Sequence, residues 1–415
     1  MKILISAFAC HPAMGSEDGV GWGWVTTLAR YHQLHVITRE YRRADIEAEL
    51  ETNPVNNLYF HYIDPPAWMI FWKKGSRNFM AYALLWQLFA LVMAVRLSIR
   101  QRFDIVQHLT YGNLWLPTFL FFVPGTYIWG PVGGGVVPAV FAENYRIREW
   151  LVENLRLIVL KSLKWLNLPA LLNMWRARLI LVRTWETLDY LPLWARKKAI
   201  LVPETALDPG RFPYSRKERR DTCCREMFNI VYAGRIMSLK NLHLAVTAFR
   251  ELLARNPLLA GFVRFDIYGD GPYLPVCREL AGDEAGRAII FHGFVDRAVL
   301  LEKLREAHLF IHLSVKDTAA TAPMEAMALG IPVICVKAGG MMNLVDDTCG
   351  VPLEQSSPEL LVPAVINELK TLVTDRERLF ALSCAARAKV EQSFSWERRI
   401  EQYNEIVKRE LSVNR

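Results

Sequence analysis

Residues 317–334, DTAATAPMEAMALGIPVI, carry the reading of the fold. An acidic residue, Asp317, is followed eight positions later by Glu325, which opens a helix of small residues. Gly330 and Pro332 stop that helix: glycine suits the turn just past a helix end, and proline cannot continue one. Val333 and Ile334 then begin an apolar strand, read over 333–336. A helix that passes through a short turn into a buried, β-branched run is one half of a strand–helix–strand unit. It predicts a parallel sheet covered by helices.

The same alternation extends outward. Residues 228–233, 264–268, 289–292 and 309–313 read as strands, separated by helices over 241–255, 273–280 and 298–307. Earlier in the chain, 2–7, 34–38, 58–63, 104–108, 126–129 and 178–184 read as strands, with helices after Gly15 and over 79–100. Between these series, 206–228 lacks periodicity and holds Pro209, Gly210, Pro213 and the charged run RKERRD at 216–221, which reads as a linker. At 415 residues the chain exceeds one ordinary core. The expected architecture is therefore α/β: two doubly wound parallel-sheet domains, 1–205 and 229–392, facing across a cleft. A linker occupies 206–228, and a terminal helix in 393–415 returns to the first domain. Ligands are expected at the carboxyl ends of the strands.

Composition narrows the partners. Formal net charge is +8, which suits anions such as nucleotide phosphates or acidic lipid headgroups. The basic residues are interleaved with Trp and Leu and form no tract, so no nucleic-acid partner is expected. Seven cysteines without a CxxC pair read as reduced thiols of a cytoplasmic protein. The opening MKILISAFAC reads as a buried first strand rather than a signal peptide. Residues 79–95 are apolar except for Gln87 and reach the lower limit of a membrane span, about 17 residues. The strand that follows at once must rejoin the sheet, so a buried or membrane-surface helix is expected instead. Residues 146–183 carry an apolar stripe (Leu151, Leu155, Ile158, Val159, Leu163, Leu166) with Glu153, Arg156, Lys161 and Lys164 away from it. That segment is either an amphipathic face for peripheral contact with the inner side of a membrane or a helix packed on its own domain.

The site chemistry starts from the two acids. Carboxylates accept hydroxyl protons, and the helix-start amides between them suit phosphate, so Asp317 and Glu325 together point to a nucleotide sugar. Gly234 to Lys240, GRIMSLK, joins a strand to a helix and adds Arg235 and Lys240, a diphosphate clamp by charge. Gly15, after the first strand, permits close backbone approach to an anion or sugar, although GSEDGVGWG is not a dinucleotide fingerprint. Glu17 and Asp18 read as structural residues favourable to a helix start. His108, at a strand's carboxyl end, reads either as a substrate-facing imidazole or as a satisfied core residue. No HExxH, DxD or Cys/His spacing appears, so no metal and no cofactor beyond the co-substrate are expected. No GxSxG elbow points to a serine hydrolase.

These residues resemble a known family. ACHPAMGSEDGVGWGW, DIVQHLTYGN, WGPVGGG, VYAGRIMSLKN, IYGDGP, FHGFV, PMEAMALGIPVI and FSWERRIEQY are together similar to the retaining glycosyltransferases of family 4. The resemblance implies the GT-B fold, with two Rossmann-like domains, and transfer of a sugar from a nucleotide diphosphate with retention of configuration. It implies that Arg235 and Lys240 hold the diphosphate, Glu325 the ribose and Asp317 the sugar. His108 would face the sugar, and Gly15 would approach the phosphates. Gly293 and Phe294 would lie near the base, with Ala320, Thr321 and Gly134 as further substrate contacts. The family signature has Glu where Asp317 stands, and the acid usual after the later Gly-Gly is replaced by Asn343. The Trp- and Arg-rich first half suits a polyprenyl-linked saccharide acceptor in bacterial surface-polysaccharide synthesis. Alternatives on the same fold are a sugar-nucleotide epimerase, a phosphorylase, or a degenerate, membrane-associated assembly protein.

Overall fold

The computed structural model describes residues 1–12, 16–73, 75, 78–116, 118–134, 155 and 167–412. The described residues form two compact units, one drawn from Met1–Val136, Arg156–Ala206 and the segment from Trp396, the other from Leu155 and Leu207–Ser395.

The first unit is built on seven parallel strands. These are β1 (Lys2–Ala7), β2 (Gln33–Thr38), β3 (Leu58–Tyr62), β4 (Ile105–Thr110), β5 (Thr126–Val132), β6 (Leu179–Val182) and β7 (Ala199–Leu201). Their order is β3-β2-β1-β4-β5-β6-β7. The central strands are buried on both faces, which is why β1 reads as an apolar run and not as an alternating one; β4, IVQHLT, is buried throughout although it carries Gln107 and His108. Helix α1 (Ser16–Leu28) follows β1 directly. Helix α2 (Arg43–Thr52), which lies between β2 and β3, carries a charged pattern that the sequence reading did not single out.

Helix α3 (Phe79–Arg100) buries Tyr82, Ala83, Trp86, Ala90, Ala94 and Leu97 against the sheet. Both neighbours of α3 in the chain, β3 and β4, belong to this one sheet. Among the described residues α3 is the one helix long and apolar enough to cross a membrane. The terminal helix Trp396–Ser412 packs on α1, where Tyr403 meets Trp24 at 5.6 Å between ring centres. Tyr403 also donates to Gln107 Oε1 of β4 at 2.7 Å in the buried interior.

The second unit repeats the pattern. Its strands are β8 (Phe228–Ala233), β9 (Val263–Tyr268), β10 (Ile289–Gly293), β11 (Leu309–His312), β12 (Val333–Val336) and β13 (Gly350–Leu353). They are ordered β10-β9-β8-β11-β12-β13, again 3-2-1-4-5-6 with all pairs parallel. In each unit the first and fourth strands are neighbours, and the crossovers leave them in opposite directions. That is the switch point where open α/β sheets leave a crevice for ligands.

The stretch 206–228, read as a linker, is ordered and contains the helix Arg216–Cys223. Arg219 of that helix is buried and donates to the carbonyls of Ala307 and His308 and to Ser383 Oγ. All seven cysteines are unpaired. Of the segment 146–183, residues 146–154 and 156–166 lie outside the described residues; the remainder forms the helix Leu168–Arg176 and β6.

Candidate active site

The carboxyl end of β8 turns through Gly234 into Arg235. The turn rests on the loop after β9, where a Cβ on Gly269 would lie 2.0 Å from the Gly234 carbonyl oxygen. Only glycine fits there, and this accounts for the first glycine of the IYGDGP run. Tyr232 donates its hydroxyl to the Arg235 carbonyl at 3.2 Å, so the backbone is fixed while the guanidinium stays exposed. The chain continues into the short turn Ser238–Lys240 and then Asn241, which has a left-handed backbone. Asn241 donates from Nδ2 to the Leu313 carbonyl at 3.1 Å, and Val315 N donates to the Leu239 carbonyl at 3.2 Å. These bonds stitch the loop after β8 to the loop after β11, across the switch point.

Lys240 and Asp317 meet at that seam as an ion pair. The second partner of Asp317 is His312, the last residue of β11, whose Nε2 lies 3.0 Å from Oδ2. An ionised carboxylate only accepts, so His312 Nε2 carries the proton and donates it. Burial alone would push the Asp317 pKa up. The bonds and charges of His312 and Lys240 outweigh that and hold it well below the usual carboxylate range. Its backbone carbonyl accepts from Gly340 N at 2.7 Å. A Cβ on Gly339, where φ is +55°, would fall 2.4 Å from the same oxygen. The Ala338-Gly-Gly run thus supports Asp317 from below.

Ala320, at φ 46°, enters the helix Thr321–Ala328. The helix begins at Thr321 rather than at Glu325, four residues earlier than the sequence suggested. No side chain caps it, so the Thr321 and Ala322 amides of its first turn have no intrahelical acceptor. Pro323 has no amide to offer. Glu325 lies inside the helix, buried, and its Oε1 accepts from Arg297 Nε at 2.8 Å and Nη2 at 2.5 Å. Burial pushes the Glu325 pKa up, and Arg297 partly offsets the shift. Arg297 opens the helix after β10, which follows Gly293 and Phe294. Gly293 has φ +71° and open space where a Cβ would stand, and the Phe294 ring is 81% exposed.

The second unit therefore brings Arg235, Lys240, Asp317, Ala320, Thr321, Glu325, Gly293 and Phe294 to the carboxyl edge of one sheet. Lys240–Asp317 and Arg297–Glu325 are its direct charge contacts. Sequence reasoning missed His312 and Arg297. The first had a signal, a histidine at the end of an apolar strand and five residues before the acid. The second had only a cation four residues past Gly293.

The remaining candidates belong to the first unit. His108, in β4, is buried, and neither ring nitrogen meets a hydrogen-bonding side chain. Burial lowers its pKa to about 4, with the Arg183 charge acting in the same direction. It is neutral at physiological pH and can accept or donate one hydrogen bond. Gly134 has φ +123° and packs beside Asn113. Gly15 lies outside the described residues.

Glu17 and Asp18, read as helix-dipole residues, make specific contacts. Glu17 Oε1 accepts from Tyr111 N at 2.7 Å and from Arg183 Nη2 at 2.9 Å. Arg183 also pairs with Glu204 at 2.8 Å. Asp18 pairs with Arg39 and Arg42, both at 3.2 Å. Among the described residues no three His, Cys, Asp or Glu side chains gather as metal ligands would.

Residues 224–382 match the family model of glycosyl transferases group 1. The chain is 27% identical over 226 residues to the D-inositol 3-phosphate glycosyltransferase of Geodermatophilus obscurus, covering 52% of this chain and 48% of that protein. It is 28% identical over 203 residues to the putative colanic acid biosynthesis glycosyltransferase WcaL of Salmonella typhimurium, covering 47% and 48%. The chain spans about half the length of these curated relatives. HepE of Anabaena, solved in complex with UDP and glucose, matches it with a TM-score of 0.58 at 17% identity, covering 98% of this chain and 99% of that one. That likeness is one of fold, and the fold is GT-B.

Proposed function

We propose, for a chain that has the GT-B fold and carries a glycosyl transferases group 1 domain at residues 224–382, that it is a retaining glycosyltransferase. Its donor is a nucleotide-diphosphate sugar. Its acceptor is a lipid-linked saccharide at the inner face of the bacterial membrane, in surface-polysaccharide synthesis. The observation that carries the reading is the seam between the loops after β8 and β11. There the ion pair of Lys240 with the partly buried Asp317 carboxylate lies at the switch point, Arg235 stands exposed on the same loop as Lys240, and the uncapped Thr321–Ala328 helix starts four residues after Asp317.

The chemistry follows from the leaving group. Breaking the bond from the anomeric carbon to the phosphate builds negative charge on the diphosphate. Arg235, free of ion pairs among the described residues, and Lys240, held by Asp317, are the groups that receive it. The Thr321 and Ala322 amides add fixed partial positive charge. Asp317 keeps its carboxylate ionised for sugar hydroxyls, and Glu325 serves the ribose. No side chain is assigned as a covalent nucleophile, so the acceptor hydroxyl attacks from the face the phosphate leaves: its oxygen bonds the anomeric carbon as the carbon–phosphate oxygen bond breaks, and its proton passes to an oxygen of the departing nucleoside diphosphate. UDP-linked and colanic-acid-related relatives support the donor class and the polysaccharide setting.

A thermal-shift series with UDP, GDP and ADP and their glucose or mannose esters tests the reading. One nucleotide should raise the melting temperature selectively, because a ligand that binds only the folded state stabilises it. No shift with any of them would overturn the donor site. Sugar transfer that requires an added acceptor separates a transferase from an epimerase.

A further inference from the structure

We infer that the outer face of α3 is a docking surface for an anionic lipid bilayer, lying in the headgroup plane without crossing the membrane. A helix packed on a sheet normally turns polar residues to water. Here the solvent side carries Met80, Leu84, Leu88, Val92, Val95 and Ile99, exposed by 39% to 80%. These side chains fall every three or four residues and so form one stripe along about 28 Å of helix. Trp68 and Phe71, just before the helix in the chain, are 74% and 78% exposed.

The charge around the stripe selects the partner. From Pro65 to Phe103 there is no Asp or Glu, whereas Lys73, Lys74, Arg77, Arg96, Arg100 and Arg102 are all basic. Arg96 and Arg100 lie on the exposed side of α3 itself. An apolar stripe between basic ends fits an interfacial helix with its apolar side sunk about 5–10 Å below the headgroups. The opposite side of α3 is committed to the core through Trp86 and its neighbours, so the helix cannot leave the sheet to span. This surface is distinct from the amphipathic reading of 146–183, and it does not depend on the donor site.

Co-sedimentation of the full chain with vesicles tests it. The wild type should bind vesicles of equal parts phosphatidylcholine and phosphatidylglycerol, bind phosphatidylcholine alone weakly, and be released by salt. Leu88→Glu combined with Val92→Glu should weaken binding about tenfold or more, with an unchanged melting temperature. Arg96→Gln combined with Arg100→Gln, which leaves the apolar stripe intact, should reduce the preference for the anionic vesicles about tenfold. Wild-type protein that ignores anionic vesicles, or variants that bind as well as wild type, would overturn the proposal. So would a lipid-free dimer that the glutamates dissociate, since a second copy would then cover the face. Resistance of the bound protein to alkaline carbonate would overturn it in favour of a span. A nucleotide-induced thermal shift, read in parallel on each variant, reports the donor site separately.

Discussion

Lys240 and Asp317 neutralise each other in the unliganded chain, and that separates the two clamp cations by experiment. Arg235 is exposed and ties nothing down, so Arg235→Ala should lower turnover by about 2–4 kcal/mol of barrier and leave thermal stability unchanged. Lys240→Ala should cost a similar amount in turnover, but it also strips a charge partner from a mostly buried carboxylate. A loss of stability of about 1–3 kcal/mol should therefore accompany it. Steady-state rates and melting curves on both variants check the contrast; equal melting losses would remove the distinction. The Asp317 pKa is depressed on folding. Its stabilising contribution is present above the unfolded value of about 3.9 and is lost only as pH falls through the lower folded value. The ion pair is accordingly intact throughout the neutral range. The Asp317 side chain is one methylene shorter than a glutamate, and His312 at 3.0 Å fixes where its carboxylate ends.

The elements that hold the site are two loops and a short helix, and their tolerances are narrow. Gly339→Ala combines a positive φ with a contact of 2.4 Å to the Asp317 carbonyl, so the loop bearing Asp317 must shift. A cost of about 1–3 kcal/mol in stability is expected, with a larger fractional loss of transfer activity than of nucleotide binding; wild-type transfer by this variant would sink the account. Much of this level was readable in the chain. α3, β8 and β12 fall where apolar periodicity and flanking charge put them, and parallel order follows from alternation. The start of the Thr321–Ala328 helix was misplaced because Ala320 enters it from a left-handed backbone with no capping side chain to announce it. The helix Arg216–Cys223 was read as linker because its composition is almost entirely charged. Ser215 does cap it by accepting from Glu218 N, and that Ser-x-x-Glu pattern was the available signal. The links of Arg297 to Glu325 and of Arg219 to Ser383 join residues distant in sequence, and no local pattern encodes them.

At the scale of the whole molecule, buried histidines make both units acid-sensitive. His35 and His108 in the first unit and His243 in the second have pKa values lowered to about 4 by burial, and His308 to about 3. His32 and His61 are lowered by the same cause. In the unfolded chain each titrates near 6.5. Between about pH 6.5 and 4 these histidines therefore hold more protons in the unfolded chain than in the folded one, and their contribution to stability falls as pH falls through that window. For a fully buried histidine such as His108 the shift corresponds to on the order of 3 kcal/mol. His243 is the cleanest probe. It is buried, its ring faces Tyr273 at 5.1 Å, and neither ring nitrogen meets a hydrogen-bond partner. His243→Phe thus removes one titrating group without breaking a hydrogen bond. Melting curves taken from pH 7 to about 4 should show a shallower loss of stability in this variant than in wild type, confined to the transition of the second unit if the two units melt separately. An identical slope in the two proteins would mean that the imidazole of His243 takes up its proton without unfolding, and that burial does not keep it neutral.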